Sequence, residues 1–378
     1  MILTEHNIFY YLLDIGMIDV KSIIDGEFTA RRSDSRNNNF IINREFAHHT
    51  YFIKQVKAPD AEKIETLRAE AACYQLANSN EHYKPLKNFL PQFFHYDPLN
   101  HVLITAQVKE AATVYEYYFR MHEFNNKIPE IIADTLASYH NTVAKSLQQQ
   151  AGLQQFKQQK PWVFTVAAMP PDHWMQNEQA AEQQTIQLIQ KNREFMQLLL
   201  QVENEWQPQT LVHNDAKFSN FLISYKQDDN TINFIKLIDW ELADIGDPLW
   251  DVATIFQNYL SLWVNTDVPG EVAQPGFRKI SLPEVQRPIQ VFWKRYGQQM
   301  KWQPHQAEAM LIKATRFCAL KLIHACFETA PYQKSLQPIS VKMLQMSFNI
   351  LRSPKDAAPK LLGIPVNMYK NEGQYQHA

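Results

Sequence analysis

The sequence predicts an α+β fold in two lobes: a small strand-rich N-terminal lobe, residues 1–108, and a larger helical C-terminal lobe, residues 109–353. Three observations carry this reading. At 378 residues the chain is long for a single hydrophobic core. The first 110 or so residues alternate strand-like and helical segments, whereas helical spacing dominates from about 112 onward. One polar hairpin, LVHNDAKFSNFLIS joined through QDDN to TINFIKLID, interrupts the helical part.

Taken in order, a short helical start precedes strands at 27–30 and 39–43, separated by the polar loop RRSDSRNNN. TYFIKQV (50–56) reads as a strand with Tyr51 and Ile53 on one face and Phe52 and Lys54 on the other. AEKIETLRAEAACYQLA (61–77) spaces Ile64, Leu67, Ala71 and Tyr74 as a helix does. HVLITAQV (101–108) is again a strand. In the second lobe, IPEIIADTLASYHNTVAKSL (128–147) aligns Ile131, Ile132, Leu136, Tyr139 and Val143, with Pro129 where a helix tolerates it. A helical insertion spans about 148–208, from a glutamine-rich stretch through a helix at 176–205. Beyond the hairpin, helices are expected at 248–263, 283–300, 305–329 and 339–352. The tail, 354–378, reads as irregular.

Composition narrows the function. Net charge is −2, so the chain has no basic surplus for nucleic acid or an anionic membrane. No run of 18 apolar residues predicts membrane insertion, and MILTEHNIFYYLL lacks the basic flank of a signal peptide. A cytoplasmic protein is expected. Cys73, Cys318 and Cys326 form no CxxC and read as buried free thiols. With 9 glycines, a glycine-rich phosphate cradle must be minimal or absent.

The hairpin puts His213, Asn214, Asp215 and Asn220 between two strands. Turn chemistry explains Asn and Asp there; so does a magnesium-phosphate site. Phosphoryl transfer needs a carboxylate within reach of the acceptor hydroxyl, a role open to Asp215. Magnesium needs hard oxygen ligands, which Asn220 and Asp239 offer.

HNDAKFSN followed by LIDWELADIGDPLWDVA resembles the aminoglycoside phosphotransferase and choline kinase superfamily, whose fold is protein-kinase-like. Its pattern HxDxxxxN, ID-[WF]-E and GDPxxDxA is met by His213, Asp215, Asn220; Asp239, Trp240, Glu241; and Gly246, Asp247, Pro248, Asp251, Ala253. The resemblance covers about 25–260 and is strongest over 209–253. It implies an antiparallel-sheet N-lobe that binds nucleotide and a C-lobe that carries catalysis and the acceptor. It also implies Asp215 as catalytic base, Asn220 and Asp239 as magnesium ligands, and ATP (GTP as the alternative) with Mg2+ as cofactors. Asp251 matches a buried aspartate bracing the catalytic loop, and His213 a second brace. Asp247, ahead of Pro248, is a good helix N-cap and is counted as structural support.

A phosphate-binding lysine paired with a helix glutamate is then expected in the N-lobe. Lys54 fits, unless it is an exposed edge-strand lysine. Glu70 matches the pairing position; Glu65, more than a turn earlier on a different face, is its competitor. Backbone groups of Ala106, Gln107 and Val108 are the expected readers of the purine. Lys217 occupies the place of a lysine that contacts the transferring phosphate in protein Ser/Thr kinases, a solvent-facing lysine being the other reading. The chain departs from the pattern at RRSDSRNNNF, which has no glycine; backbone amides or Asn37 to Asn39 are left to meet phosphate.

The expected activity is ATP-dependent O-phosphotransfer to a small molecule: choline-like, sugar or aminoglycoside-like. HND and LIDWE are closest to choline and ethanolamine kinase branches, and 8 tryptophans suit a quaternary ammonium. Trp162, Phe164, His173 and Trp174 are candidate walls of the acceptor site, or packing within an inter-helix loop. Glu241, Asp244 and Asp247 are acids available to a polycation. The alternative enzyme phosphorylates Ser or Thr of a precursor peptide before elimination, alongside a partner enzyme. The alternative of another class is a pseudokinase scaffold, which the missing glycines favour and the retention of Lys54, Asp215, Asn220 and Asp239 opposes.

Overall fold

The computed structural model describes residues 1–26, 28–33, 37–44, 50–56, 60–121, 124–144, 153–169, 180–226, 231–266, 278–330 and 333–368. The chain opens with α1 (Ile8–Asp14), α2 (Val20–Ile24), β1 (Phe28–Ser33), β2 (Asn38–Arg44), β3 (Tyr51–Gln55), α3 (Ala61–Ser79), β4 (Phe93–Asp97) and β5 (Val102–Ala106). It continues with β6 (Ala112–Thr113), α4 (Val114–Met121), α5 (Lys127–Ala144), α6 (Ala180–Lys191), α7 (Arg193–Glu203), β7 (Thr210–Val212), β8 (Phe221–Tyr225), β9 (Ile232–Leu237) and β10 (Asp244–Gly246). Helices α8 (Leu249–Thr266), α9 (Leu282–Gln299), α10 (Pro304–Thr329), α11 (Pro338–Arg352) and α12 (Pro354–Lys360) follow. Two compact units form: Met1–Ala111 with Gly152–Phe156 and Leu222–Ala243, and Ala112–Ala151 with Lys157–Phe221 and Asp244–Ala378.

In the first unit, an antiparallel sheet runs in the order β1-β2-β3-β5-β4. Side chains alternate across it. Phe40, Ile42, Tyr51, Ile53, Val102 and Ile104 pack with Leu3, Ile8, Tyr11 and Leu12 into one core. Lys54, with Asn39 and Leu103 as its cross-strand neighbours, points to the other face. β3 is the middle strand, so the edge-lysine reading of Lys54 falls. Helix α3 starts at Asp60, whose carboxylate accepts the Glu62 and Lys63 amides, and it buries Leu67, Glu70, Ala71 and Tyr74.

β8 and β9 are neighbouring strands; the QDDN turn lies outside the described residues. The sequence reading assigns this hairpin to the helical lobe, but Leu222–Ala243 packs within the first unit. Leu237 N–H donates to the Phe89 carbonyl at 2.7 Å, and Lys236 Nζ to the Asn88 carbonyl at 2.9 Å.

The second unit is mainly helical, with α5 against α9, α8 against α9 and α10, and α10 against α11. Trp250, Phe256, Phe292, Trp293, Tyr296 and Phe317 fill its core. β7 pairs antiparallel with β10, Val212 opposite Asp244 and Thr210 opposite Gly246. A Cβ on Gly246 would stand 2.6 Å from Val212 Cγ2 and 3.1 Å from the Trp206 ring, so this close approach requires glycine.

Two sequence expectations need correction. The helix at 176–205 is two helices: Asn192 interrupts it and caps α7 by accepting the Phe195 amide. The tail is not irregular from 354, because Pro354–Lys360 is helical, with Pro354 at the start where its missing N–H costs nothing. All three cysteines are buried and free. Among the described residues, no helix is long and apolar enough to cross a membrane.

Candidate active site

In the first unit, Lys54 is the centre of a charge cluster. Its Nζ donates to Glu70 Oε2 at 2.8 Å, Asp239 Oδ1 at 2.8 Å and Glu241 Oε2 at 2.9 Å. Burial alone would push the ammonium down, but Glu70, Asp239 and Glu241 hold it well above its ordinary value. Glu70 is pushed up, first by burial and then by Asp239 and Glu241, with Lys54 pulling the other way. Glu65 instead pairs with Arg68 at 2.5 Å on the exposed side of α3, which settles the choice between the two glutamates. Glu241 is the partner that sequence reasoning missed; the adjoining WE pair was its only signal.

Asp239 sits in the left-handed region at φ 64, ahead of a 3-10 turn over Trp240–Leu242. Asp tolerates this conformation better than most residues. Buried Trp240 anchors the turn, its Nε1 donating to the Leu237 carbonyl at 2.9 Å. The Glu70, Asp239 and Glu241 oxygens lie within 4.8 Å of one another. Three carboxylates around one ammonium leave negative charge in surplus, and hard oxygens in surplus negative charge fit a magnesium ion.

The face that carries Lys54 also holds unsatisfied polar atoms. Asn39 Oδ1, Thr50 Oγ1 and Gln107 Oε1 are buried with no hydrogen-bond partner among the described residues. Asn39 lies directly across the ladder from Lys54, and the same alternation continued one residue beyond the ends of β3 and β5 would turn Thr50 and Gln107 to that face. Buried polar groups are rarely left unpaired, so a polar ligand on this face would satisfy them. The hinge reading narrows here: the Ala106 amide is committed to the Gln92 carbonyl and the Gln107 amide to the Thr50 carbonyl, both at 2.8 Å. Neither of these two N–H groups remains for a purine, so of the three amides the expectation rests on Val108.

In the second unit, the loop after β7 is held from below by Asp251. This fully buried carboxylate accepts the His213 amide at 2.7 Å, the Asn214 amide at 2.9 Å and the Tyr139 hydroxyl at 2.5 Å. Burial would raise its carboxyl, but hydrogen bonds from His140 and Tyr139 and the charge of the neighbouring histidines hold it below the usual range. His213 is fully buried, and its Nδ1 accepts the Asp215 amide at 3.3 Å. Asn214 takes φ 66.

Asp215 leaves this scaffold with a carboxylate 16% exposed. Its Oδ2 meets Lys217 Nζ at 2.8 Å and Asn220 Nδ2 at 3.0 Å; Asn220 also donates to the Asp215 carbonyl. Lys217 therefore faces the carboxylate rather than solvent alone. An ionised carboxylate with two donors at fixed distances is equipped to orient a hydroxyl and receive its proton.

Asp247 caps α8 through the Leu249 amide at 3.1 Å and also meets Lys313 Nζ at 2.5 Å. Burial pushes its carboxyl up against the pull of Lys313. Asp244 accepts the Gln158 and Gln159 amides. With Glu241 on Lys54, these three acids are each engaged separately. Of the candidate walls, Phe164 is core, packed on Trp206, Trp250 and Phe317. Trp162 is 37% exposed, edge-on to Phe327 and tilted 5.4 Å from His324. His173 and Trp174 lie outside the described residues.

No curated protein matches the sequence significantly. Solved structures do match in fold. The choline kinase of Cryptosporidium parvum Iowa II is 14% identical, with 91% of this chain and 94% of that one covered and a TM-score of 0.57. A microcompartment-associated aminopropanol kinase is 14% identical, with 95% and 99% covered and a TM-score of 0.54. The GDP complex of aminoglycoside 2′-phosphotransferase-IIIa is 10% identical, with 94% and 99% covered and a TM-score of 0.51. These likenesses establish a protein-kinase-like α+β fold, with an antiparallel-sheet N-terminal lobe and a helical C-terminal one. A phosphotransferase enzyme family model matches residues 27–274, a span that includes both linked motifs and the lysine strand. The chain belongs to the APH phosphotransferase enzyme family.

Proposed function

We propose that the protein transfers the γ-phosphoryl group of ATP to the hydroxyl of a small amino alcohol. The observation that carries the reading is the Asp215 carboxylate, held by Lys217 and Asn220 on a loop tied down by buried Asp251. Asp215 orients the acceptor hydroxyl and takes its proton as the new O–P bond forms and the bond to the ADP oxygen breaks. Lys217 stands beside the charge that develops. In the first unit, Lys54, oriented by Glu70, binds the nucleotide phosphates, and Asn39, Thr50, Gln107 and Val108 supply further polar contacts.

In the first unit Asp239 would hold magnesium, with Glu241 as a further oxygen donor; Asn220, the other residue that the motif assigns to the ion, lies in the second unit. When bound, the ion neutralises phosphate charge.

An alkylammonium acceptor is favoured by the surroundings of His324. Burial and the charges of Lys321 and Lys217 push its imidazole down to about 3, so it is neutral. Its ring centre is 5.4 Å from that of the exposed Trp162 indole, and its Nδ1 is 4.0 Å from the Glu328 carboxylate. A π face and a carboxylate are what an alkylammonium group needs. Solved relatives named as choline and aminopropanol kinases support the same class.

The test is magnesium-dependent ADP release with choline, ethanolamine and 1-amino-2-propanol, against aminoglycosides, sugars and Ser/Thr peptides, with GTP run beside ATP. Stimulation by an amino alcohol, lost in Asp239→Ala, is expected. Stimulation by peptides alone would move the function to precursor-peptide phosphorylation. No stimulation and no magnesium-ATP binding would leave a scaffold.

A further inference from the structure

Lys321, on α10, is a buried lysine with no part in the chemistry above. It is 4% exposed. Its Nζ donates to the Asn214 carbonyl at 2.8 Å and stands 4.1 Å from the centre of the Trp250 ring. A buried ammonium in direct contact with a carbonyl dipole and a π face, and with carboxylates acting on it only from a distance, is a costly placement. Such placements concentrate where function requires them.

The carbonyl it holds belongs to the peptide that leads into Asp215. Asn214 is clamped on both sides: its N–H goes to Asp251 Oδ1 at 2.9 Å, and its C=O to Lys321. These two contacts hold a non-glycine residue at φ 66. Rotation of the Asn214–Asp215 peptide would swing the Asp215 side chain with it, and the Lys321 contact grips that peptide's oxygen from outside the loop.

We infer that Lys321 is a positioning residue, fixing the Asn214–Asp215 peptide so that the Asp215 carboxylate is aimed at the acceptor hydroxyl. This role rests on Asp215 being the base. Burial lowers the Lys321 ammonium to about 8, against the attraction of Asp251, Asp215 and Glu328 and with repulsion from Lys217.

The test compares full-length wild type with Lys321→Met, Lys321→Arg and Asp215→Asn. Hydrogen exchange at the His213 and Asn214 amides is read first, because it needs no acceptor. Lys321→Met should exchange there about tenfold faster while amides elsewhere hold their rates. With the best amino alcohol, its kcat should fall about tenfold or more, KM for ATP staying within about twofold. Lys321→Arg, which keeps the charge and a donor, should recover most of both losses. Unchanged exchange at the two amides, or an unchanged kcat in a folded Lys321→Met, would overturn the inference. So would parallel losses of kcat and ATP binding that arginine does not rescue, since those mark a purely structural lysine. If Asp215→Asn keeps full turnover, the base assignment fails instead, and the exchange data still decide whether Lys321 holds the loop. If Lys321→Met does not fold, Lys321→Arg and Lys321→Gln carry the same comparison.

Discussion

The charge cluster of the first unit and the Asp215 loop of the second are assembled by different forces. Around Lys54, charge does the organising: one ammonium and three carboxylates within hydrogen-bond distance, with negative charge left over. Around Asp215, hydrogen bonds to backbone do it: Asp251 takes two loop amides, Lys321 one loop carbonyl, and His213 the Asp215 amide. Charge clusters tolerate small displacements but respond to what binds them, because Coulomb energy falls slowly with distance. Hydrogen-bonded loops respond steeply to angle and distance and little to salt. Changes in the first cluster should therefore appear as altered affinity, and changes in the second as altered turnover.

The sharpest way to break this contrast is Asp215→Asn. The amide keeps the shape and the neighbours but cannot take a proton. Turnover should fall by about 10²–10⁴-fold, with magnesium-ATP affinity from calorimetry nearly unchanged. A large affinity loss would show that the second loop also organises nucleotide. Asp239→Ala should do the converse, weakening magnesium-ATP binding by about tenfold or more. Unchanged affinity would remove Asp239 from the metal.

Lys321 sharpens the contrast by pH. Its folded-state value, about 8, lies below the ordinary 10.5. Between those values the unfolded chain binds more protons than the folded one, so this group makes stability rise with pH through that window. Wild type should gain about 2–3 kcal/mol on Lys321→Met between pH 7 and 10.5 in urea titrations. A pH-independent difference would mean that the lysine is not desolvated. Gly246→Ala tests the strand pair beneath the same loop. The new methyl meets Val212 and the Trp206 ring, and a cost of about 1–3 kcal/mol is expected for overpacking; an unchanged melting temperature would show that the pair yields freely.

Much of this was legible in the sequence because it is local. The lysine strand shows in the alternation of TYFIKQV, α3 in its spacing, and the second loop in two linked motifs. What escaped needs contacts between distant segments. Lys321 touches Asn214 across 107 positions, and on α10 it sits in a run of apolar residues that reads as plain core. Glu241 was read only as a motif residue and as an acid for a polycation, because its bond to Lys54 depends on the turn at Asp239. That the Ala106 and Gln107 amides are already engaged was not legible either, since which amides a strand end commits to its neighbours follows from register, not from residue type. Asn192 and Pro354 misled in opposite ways: one breaks a helical pattern that continues on both sides, the other starts a helix where proline suggests an end.

The smallest expected effect is the most discriminating for the first cluster. Glu65 and Glu70 lie on the same helix, five positions apart, and differ in burial. Glu65 pairs with Arg68 at the surface, an i,i+3 contact with both side chains more than a third exposed. Such pairs contribute about 0–0.5 kcal/mol, so Glu65→Gln should leave melting temperature and magnesium-ATP affinity essentially where they are. Glu70→Gln removes the wholly buried partner that orients Lys54, leaving the ammonium to Asp239 and Glu241 alone, and nucleotide affinity should drop clearly. The two variants carry the same chemical change, so any difference between them reports position. If Glu65→Gln weakens nucleotide binding as much as Glu70→Gln, then α3 responds to lost negative charge in general, and the Lys54–Glu70 pair is not what orients the lysine.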